Sequence, residues 1–197
     1  MPRFVVVVDA QRDFMMSDGA LYVSGAEALI GPMQDWLAAL DPMETAGVLL
    51  TFDTHDRDTY PLSAEAAQFP IHCVQGESGW QSVVATDRID PAVPVYGLEK
   101  GVFDMWAEPG LSLKRIGTGE LTDRDAFFAA LRASGVEEVE VVGVAADYCV
   151  RWAVEGLVAR DFRVTVPAAL TRGISRQIDA VLADEWSNRM VTIRNEA

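Results

Sequence analysis

The chain has 197 residues, half of them hydrophobic and 23% charged, with a formal net charge of -14. This length suits a single domain, residues 1–197, with a sizeable core, and the acidic balance argues against a nucleic-acid or anionic-membrane partner. No apolar run approaches the ~20 residues of a membrane span, no signal peptide is evident, and two cysteines form no disulfide framework, so a reduced cytoplasmic setting is expected. The apolar run from Phe4 to Val8, ending at Asp9, reads as a buried strand. Ala26 to Leu40 has helical spacing (Leu29, Ile30, Met33, Trp36, Leu37, Leu40) and stops before Pro42. Gly47 to Phe52 reads as a second strand, closed by Asp53. Thr54 to Gly79 carries Pro61, Pro70, Gly76 and Gly79 without clean periodicity, and is expected to be a long functional loop. Val93 to Tyr96 reads as a short third strand, followed by Lys100, and Asp104 to Glu120 as irregular. Thr122 is expected to cap a helix reaching about Ala133, with Asp125 at its third position. Val139 to Val142 reads as a fourth strand; Gly143 and two alanines then turn the backbone, Asp147 offers an N-cap, and Val150 to Ala159 reads as a helix. Phe162 to Val166 is expected as a fifth strand, Ser175 to Trp186 as a helix and Met190 to Ile193 as a last strand.

Strands alternate with helices and are rich in valine, a pattern that predicts an α/β fold with a mainly parallel sheet covered on both faces, a three-layer αβα sandwich. A doubly wound sheet in the order 3-2-1-4-5-6 makes strands one and four neighbours at the topological switch point, where ligands bind outside the carboxyl ends of the strands. Asp9 ends strand one and Cys149 opens the helix after strand four, so this topology brings them together. Backbone N–H groups and the helix dipole at that position favour a thiolate and could hold a developing oxyanion. The bland alternative is a small buried residue in a tight turn. A cysteine hydrolase needs a proton acceptor, and both histidines, His55 and His72, lie in the long loop among carboxylates. Asp9 is therefore the best base, and Lys100, on the same sheet edge, would stabilise a thiolate. Asp53, His55, Glu65 and His72 form a second set. Two imidazoles and two carboxylates suit zinc, manganese or iron, against the alternative of a solvated acidic loop.

Four segments together resemble the isochorismatase-like cysteine hydrolases, and within them the nicotinamidases: Val8 to Phe14, Asp53-Thr54-His55 with Phe69 to Cys73, Lys100-Gly101, and Gly143 to Val150. The resemblance implies a catalytic set of Asp9, Lys100 and Cys149, with an oxyanion hole made by the N–H groups of Ala145 and Cys149 and a cis peptide bond before Ala145. It implies a metal at Asp53, His55, Glu65 and His72, zinc first among the candidates. Phe14 and Phe69 match positions that sandwich a pyridine ring, and Trp106 is a further candidate wall whose alternative is ordinary core packing. Ala146 stands where the family usually has threonine, and no third histidine follows His55. The expected activity is hydrolysis of nicotinamide to nicotinate and ammonia by a homo-oligomer acting on a small amide. Another small amide, a vinyl ether, or a non-catalytic thiol protein stay open as alternatives.

Overall fold

In the computed structural model, which describes residues 2–186 and 190–195, one nine-stranded sheet runs through the chain. Residues 1, 187–189 and 196–197 of the expected 1–197 domain lie outside the described residues. The first strand, β1 (Arg3–Val8), pairs in parallel with β2 (Thr45–Asp53) on one side and with β6 (Glu138–Val144) on the other. Outward from β2 follows β3 (Val95–Lys100), and outward from β6 follow β7 (Arg163–Pro167) and β9 (Val191–Arg194), all parallel. This six-strand path is the order expected from the sequence. β1 occupies its centre because every residue from Phe4 to Val8 is apolar and can be buried on either face. Val6 and Val8 enter one core layer with Leu98, Phe128 and Val150, while Val5 and Val7 enter the other with Met33, Leu37 and Leu50.

The helices are α1 (Arg12–Met15), α2 (Ile30–Ala38), α3 (Arg124–Ala133), α4 (Cys149–Val158) and α5 (Ile178–Glu185). Several expectations are corrected. The sheet has nine strands rather than six: β4 (Ser112–Arg115) and β5 (Leu121–Asp123) extend the β3 edge in antiparallel pairing, and the two-residue β8 (Thr171–Arg172) pairs with β6. Leu113 is the single fully buried side chain of β4, too little to give a periodic signal. Thr122 belongs to β5, and the helix cap is Asp123, whose carboxylate accepts from the Ala126 N–H at 2.9 Å. Asp147 does not cap α4. Its carboxylate accepts instead from the N–H groups of Ile174, Ser175 and Arg176 at 2.8 to 2.9 Å. Those bonds hold the 174–176 segment out of helical geometry, so α5 begins at Ile178 rather than Ser175. No helix among the described residues is long and apolar enough to cross a membrane.

Candidate active site

Asp9, Lys100 and Cys149 meet at the carboxyl edge of the sheet because each stands where a central strand stops or has just turned. Asp9 follows β1, Lys100 is the last residue of β3, and Cys149 is the first of α4, after the turn that leaves β6. Asp9 has a φ of 46°, the left-handed region that few non-glycine residues adopt. Opposite it, Gly143 pairs with Val8 at a φ of 112°, and a Cβ at Gly143 would lie 2.1 Å from the Val8 carbonyl oxygen. Only glycine lets the ends of β1 and β6 approach this closely. The Val144–Ala145 peptide bond is cis.

All three functional groups are buried, with Asp9 0%, Lys100 2% and Cys149 5% exposed. The Lys100 ammonium lies 2.9 Å from Asp9 Oδ2, 3.2 Å from Asp53 Oδ1 and 3.6 Å from Cys149 Sγ. Burial opposes the charge on Lys100, but Asp53 and Asp9 outweigh it and keep the ammonium protonated well above the ordinary lysine range. Burial raises the pKa of the Cys149 thiol; Lys100 pulls it down, but Asp9 and Asp53 push it up, and the sum lies well above the ordinary thiol value. Burial and the two carboxylates thus favour the protonated thiol, with the Asp9 carboxylate in hydrogen-bonding reach, against the thiolate preference of the helix N-terminus alone. The Ala145 and Cys149 N–H groups have no acceptor among the described residues.

The four residues of the expected metal set are gathered as the sequence suggests: one ligand atom from each of Asp53, His55, Glu65 and His72 lies within 4.8 Å of the others, and all four residues are buried. His55 Nε2 is 3.1 Å from Asp53 Oδ2 and 3.2 Å from Glu65 Oε2, and His72 Nε2 is 3.0 Å from Asp53 Oδ2. Two observations test whether the set fits a cation. The His72 Nδ1–H donates to the Pro70 carbonyl at 2.8 Å, so the Nε2 lone pair of a neutral His72 faces a carboxylate oxygen, an arrangement that calls for a positive charge between them. Glu65 Oε1 is buried without a hydrogen-bond donor, and Oε2 faces only the His55 ring nitrogen. Burial lowers the His55 pKa, but Asp53 and Glu65 raise it to about 9, a further sign that the cluster attracts positive charge. The residues present fit a divalent metal of the zinc, manganese or iron class.

A model of the isochorismatase domain matches residues 3–193. The chain belongs to the isochorismatase family. It is 29% identical over 194 residues, 97% of each chain, to the nicotinamidase/pyrazinamidase of Mycobacterium tuberculosis. It is 25% identical over 211 aligned positions to the nicotinamidase of Saccharomyces cerevisiae, covering 88% of this chain and 89% of that one. Its fold superposes on the zinc complex of the Pyrococcus horikoshii pyrazinamidase with a TM-score of 0.72 at 24% identity, over 98% of this chain and 99% of that one.

Within this isochorismatase-family site the aromatic candidates divide. The Phe14 ring packs 5.2 Å from His72, centroid to centroid. Phe69 joins Phe103 and Tyr148 in a cluster with centroids 5.4 to 5.6 Å apart, beside the turn that carries Cys149. Trp106 does not join them. It packs on Phe128, its indole N–H donates to the Ala153 carbonyl of α4, and Arg160 lies 3.8 Å over its ring, so it serves as a core residue between α3 and α4. A cleft of about 630 Å³, lined by Glu65, Phe103 and Trp152 among others, opens beside the metal set.

Four further residues, passed over in the sequence, hold the site together. The Thr51 hydroxyl donates to Asp9 Oδ1 at 2.6 Å and accepts from the Asp9 N–H at 3.1 Å. Gln11 accepts from the Asp53 N–H at 2.7 Å and donates to the Asp53 carbonyl at 2.8 Å and the Trp80 carbonyl at 3.0 Å. Tyr60 donates between the Phe69 and Pro70 carbonyls, 3.0 Å from each, and packs its ring on both histidines. The Asp13 carboxylate accepts from the Cys73 N–H at 2.7 Å and the Ala20 N–H at 3.1 Å, fixing the segment that carries His72. A glutamine, a threonine and a tyrosine inside or beside apolar runs look like ordinary packing. Asp13 at the start of α1 carried the one available signal, a carboxylate four residues after Asp9.

Proposed function

We propose that the protein is a metal-dependent cysteine amidohydrolase that converts nicotinamide to nicotinate and ammonia. The observation that carries this reading is the Lys100 ammonium, shared among Asp9, Cys149 and Asp53 at 2.9, 3.6 and 3.2 Å, which joins the nucleophile to the metal set through one charge. Cys149 Sγ attacks the carboxamide carbon as Asp9 takes the thiol proton. The ammonium of Lys100 offsets the negative charge that Asp9 and the sulfur carry in turn. The carbonyl oxygen, now an oxyanion, is held by the N–H groups of Ala145 and Cys149. The carbon–nitrogen bond then breaks, Asp9 returns its proton to the departing ammonia, and a thioester to Cys149 remains. Asp9 next takes a proton from water. The hydroxide adds to the thioester, the carbon–sulfur bond breaks, the proton returns from Asp9 to the Cys149 sulfur, and the product acid leaves as carboxylate after losing its own proton to water.

Asp53, His55, Glu65 and His72 would hold the metal, zinc first, and Phe14 and Phe69 would flank the ring. When bound, the metal supplies a Lewis-acid anchor for the ring nitrogen of the substrate. The kinship with nicotinamidases at 29% and 25% identity supports this substrate. The test is a panel of small amides assayed for ammonia with zinc present. Nicotinamide should be hydrolysed, and the Cys149→Ala variant should fold and release none. Ammonia from a carbamoyl compound but none from nicotinamide would overturn the substrate, and substantial turnover by Cys149→Ala would overturn covalent catalysis.

A further inference from the structure

A second cleft, of about 660 Å³, lies on the other side of the β3 edge, where the antiparallel strands β4 and β5 extend the sheet. Its floor is Gly97, paired with Lys114 in the β3–β4 ladder; a Cβ there would sit 3.7 Å from the Phe52 ring, so a larger side chain would fill the cleft from below. One wall is aromatic: Phe52 and Trp80 stack with centroids 5.6 Å apart and planes inclined at 38°. The other wall is cationic. Lys114 and Arg115 both contribute to its lining: Lys114, paired with Gly97, stands on the cleft's face of the sheet, whereas Arg115, paired with Tyr96 at the strand end, stands on the opposite face; neither has a salt-bridge partner among the described residues. In a chain of net charge -14 with only sixteen cationic side chains, two adjacent unpaired cations stand out. The turn of Ile116 to Glu120 follows them directly and joins the lining. Its Gly117 and Thr118 N–H groups have no acceptor among the described residues, and Gly117 and Gly119 both have positive φ. Glu99 is the one acid in the lining, and it accepts from Gln75 at 2.8 Å.

We propose that this cleft binds a small planar heteroaromatic that carries a phosphate, of the size of a nucleoside monophosphate. The ring would lie on Trp80 and Phe52, and the phosphate would be taken by Lys114 and the free N–H groups of the turn. A cation on the cleft face together with free N–H groups of a glycine-rich turn suits a phosphate monoester, and a cavity of this volume is in the range of small-molecule sites. The cleft also touches the site of the proposed reaction. Phe52 precedes Asp53, the Trp80 indole N–H donates to Thr54 Oγ1 at 2.9 Å, and the Trp80 carbonyl accepts from Gln11, which brackets Asp53. A ligand on Trp80 is thus one hydrogen bond from the residue that orients Asp53. The binding claim itself does not depend on which reaction is catalysed.

The test is calorimetric titration with AMP, inorganic phosphate alone and adenosine alone, on the wild type, on the Lys114→Ala/Arg115→Ala double variant and on Trp80→Leu. AMP should bind saturably at one site and more tightly than either fragment. The double variant should lose at least about tenfold in affinity, as expected for removal of charge-assisted hydrogen bonds. Its unliganded rate of ammonia release should stay that of the wild type, since both side chains lie outside the catalytic set. AMP should still bind Cys149→Ala saturated with nicotinamide. The proposal is overturned if AMP gives no saturable binding up to millimolar concentration or is displaced by nicotinamide. An affinity unchanged in the double variant overturns the cationic wall, and phosphate alone binding as tightly as AMP overturns the aromatic one.

Discussion

Asp9 is fully buried just beyond β1, and what it can do is set by its neighbours. Lys100 Nζ holds one carboxylate oxygen and the Thr51 hydroxyl the other. Replacing Asp9 by Asn removes the proton acceptor but keeps the shape, and turnover should fall by at least ~10²-fold, read as kcat for ammonia release. A rate near that of the wild type would remove Asp9 from the mechanism. Thr51 acts through Asp9 and is a positioning residue. Thr51→Val leaves a buried carboxylate oxygen and the Asp9 N–H each without a partner, at a cost of ~1–3 kcal/mol. The expected result is a lower melting temperature together with a fall in kcat at nearly constant KM, both rescued by Thr51→Ser, which restores the hydroxyl. A Ser variant as poor as the Val variant would point to packing of the methyl group instead.

At the level of elements, the site depends on how closely β1 and β6 approach and on where α4 begins, while the start of α3 bears on stability alone. Gly143→Ala places a Cβ against the Val8 carbonyl at a φ that alanine tolerates poorly. The ends of the two strands must then separate, and stability should fall by on the order of 3 kcal/mol with loss of activity. Denaturant unfolding and an ammonia assay on the same sample check both. Asp123→Ala removes the side-chain acceptor that caps α3, and should cost about 1 kcal/mol while leaving kcat unchanged, because the Asp123 carboxylate bonds to the Ala126 N–H and to none of Asp9, Lys100, Cys149 or the metal set. The same two helices show what local sequence signals can and cannot say. Thr122, Asp123 and Asp147 all resemble caps. Asp123 caps because its own backbone is non-helical just before α3, whereas Asp147 spends its carboxylate on three N–H groups more than 25 residues away. That second role is tertiary and leaves no mark in the local pattern.

For the molecule as a whole, the metal set ties the loop between β2 and β3 to the sheet. Glu65 and His72 come from the loop, while Asp53 ends β2 and His55 lies just beyond it. Chelation should therefore stop ammonia release and also lower the melting temperature, and zinc should restore both; activity that survives exhaustive chelation would argue against a metal in the reaction. The sequence by itself determined the parallel core of the sheet. Runs of valine and phenylalanine without polar alternation can only be strands buried on both faces, and buried parallel strands require helices between them. It also singled out the residues that the proposed chemistry uses, because a chain with two cysteines and two histidines offers few choices. The tertiary structure alone decided the antiparallel extension by β4 and β5, whose short polar strands carry no periodic signal. It separated Trp106 from the aromatic cluster by giving its indole a partner on α4. It also set the balance that favours the thiol form of Cys149. A helix N-terminus taken alone favours the thiolate, but burial beside two carboxylates reverses that preference, and this balance exists only once strands far apart in sequence have brought their ends together.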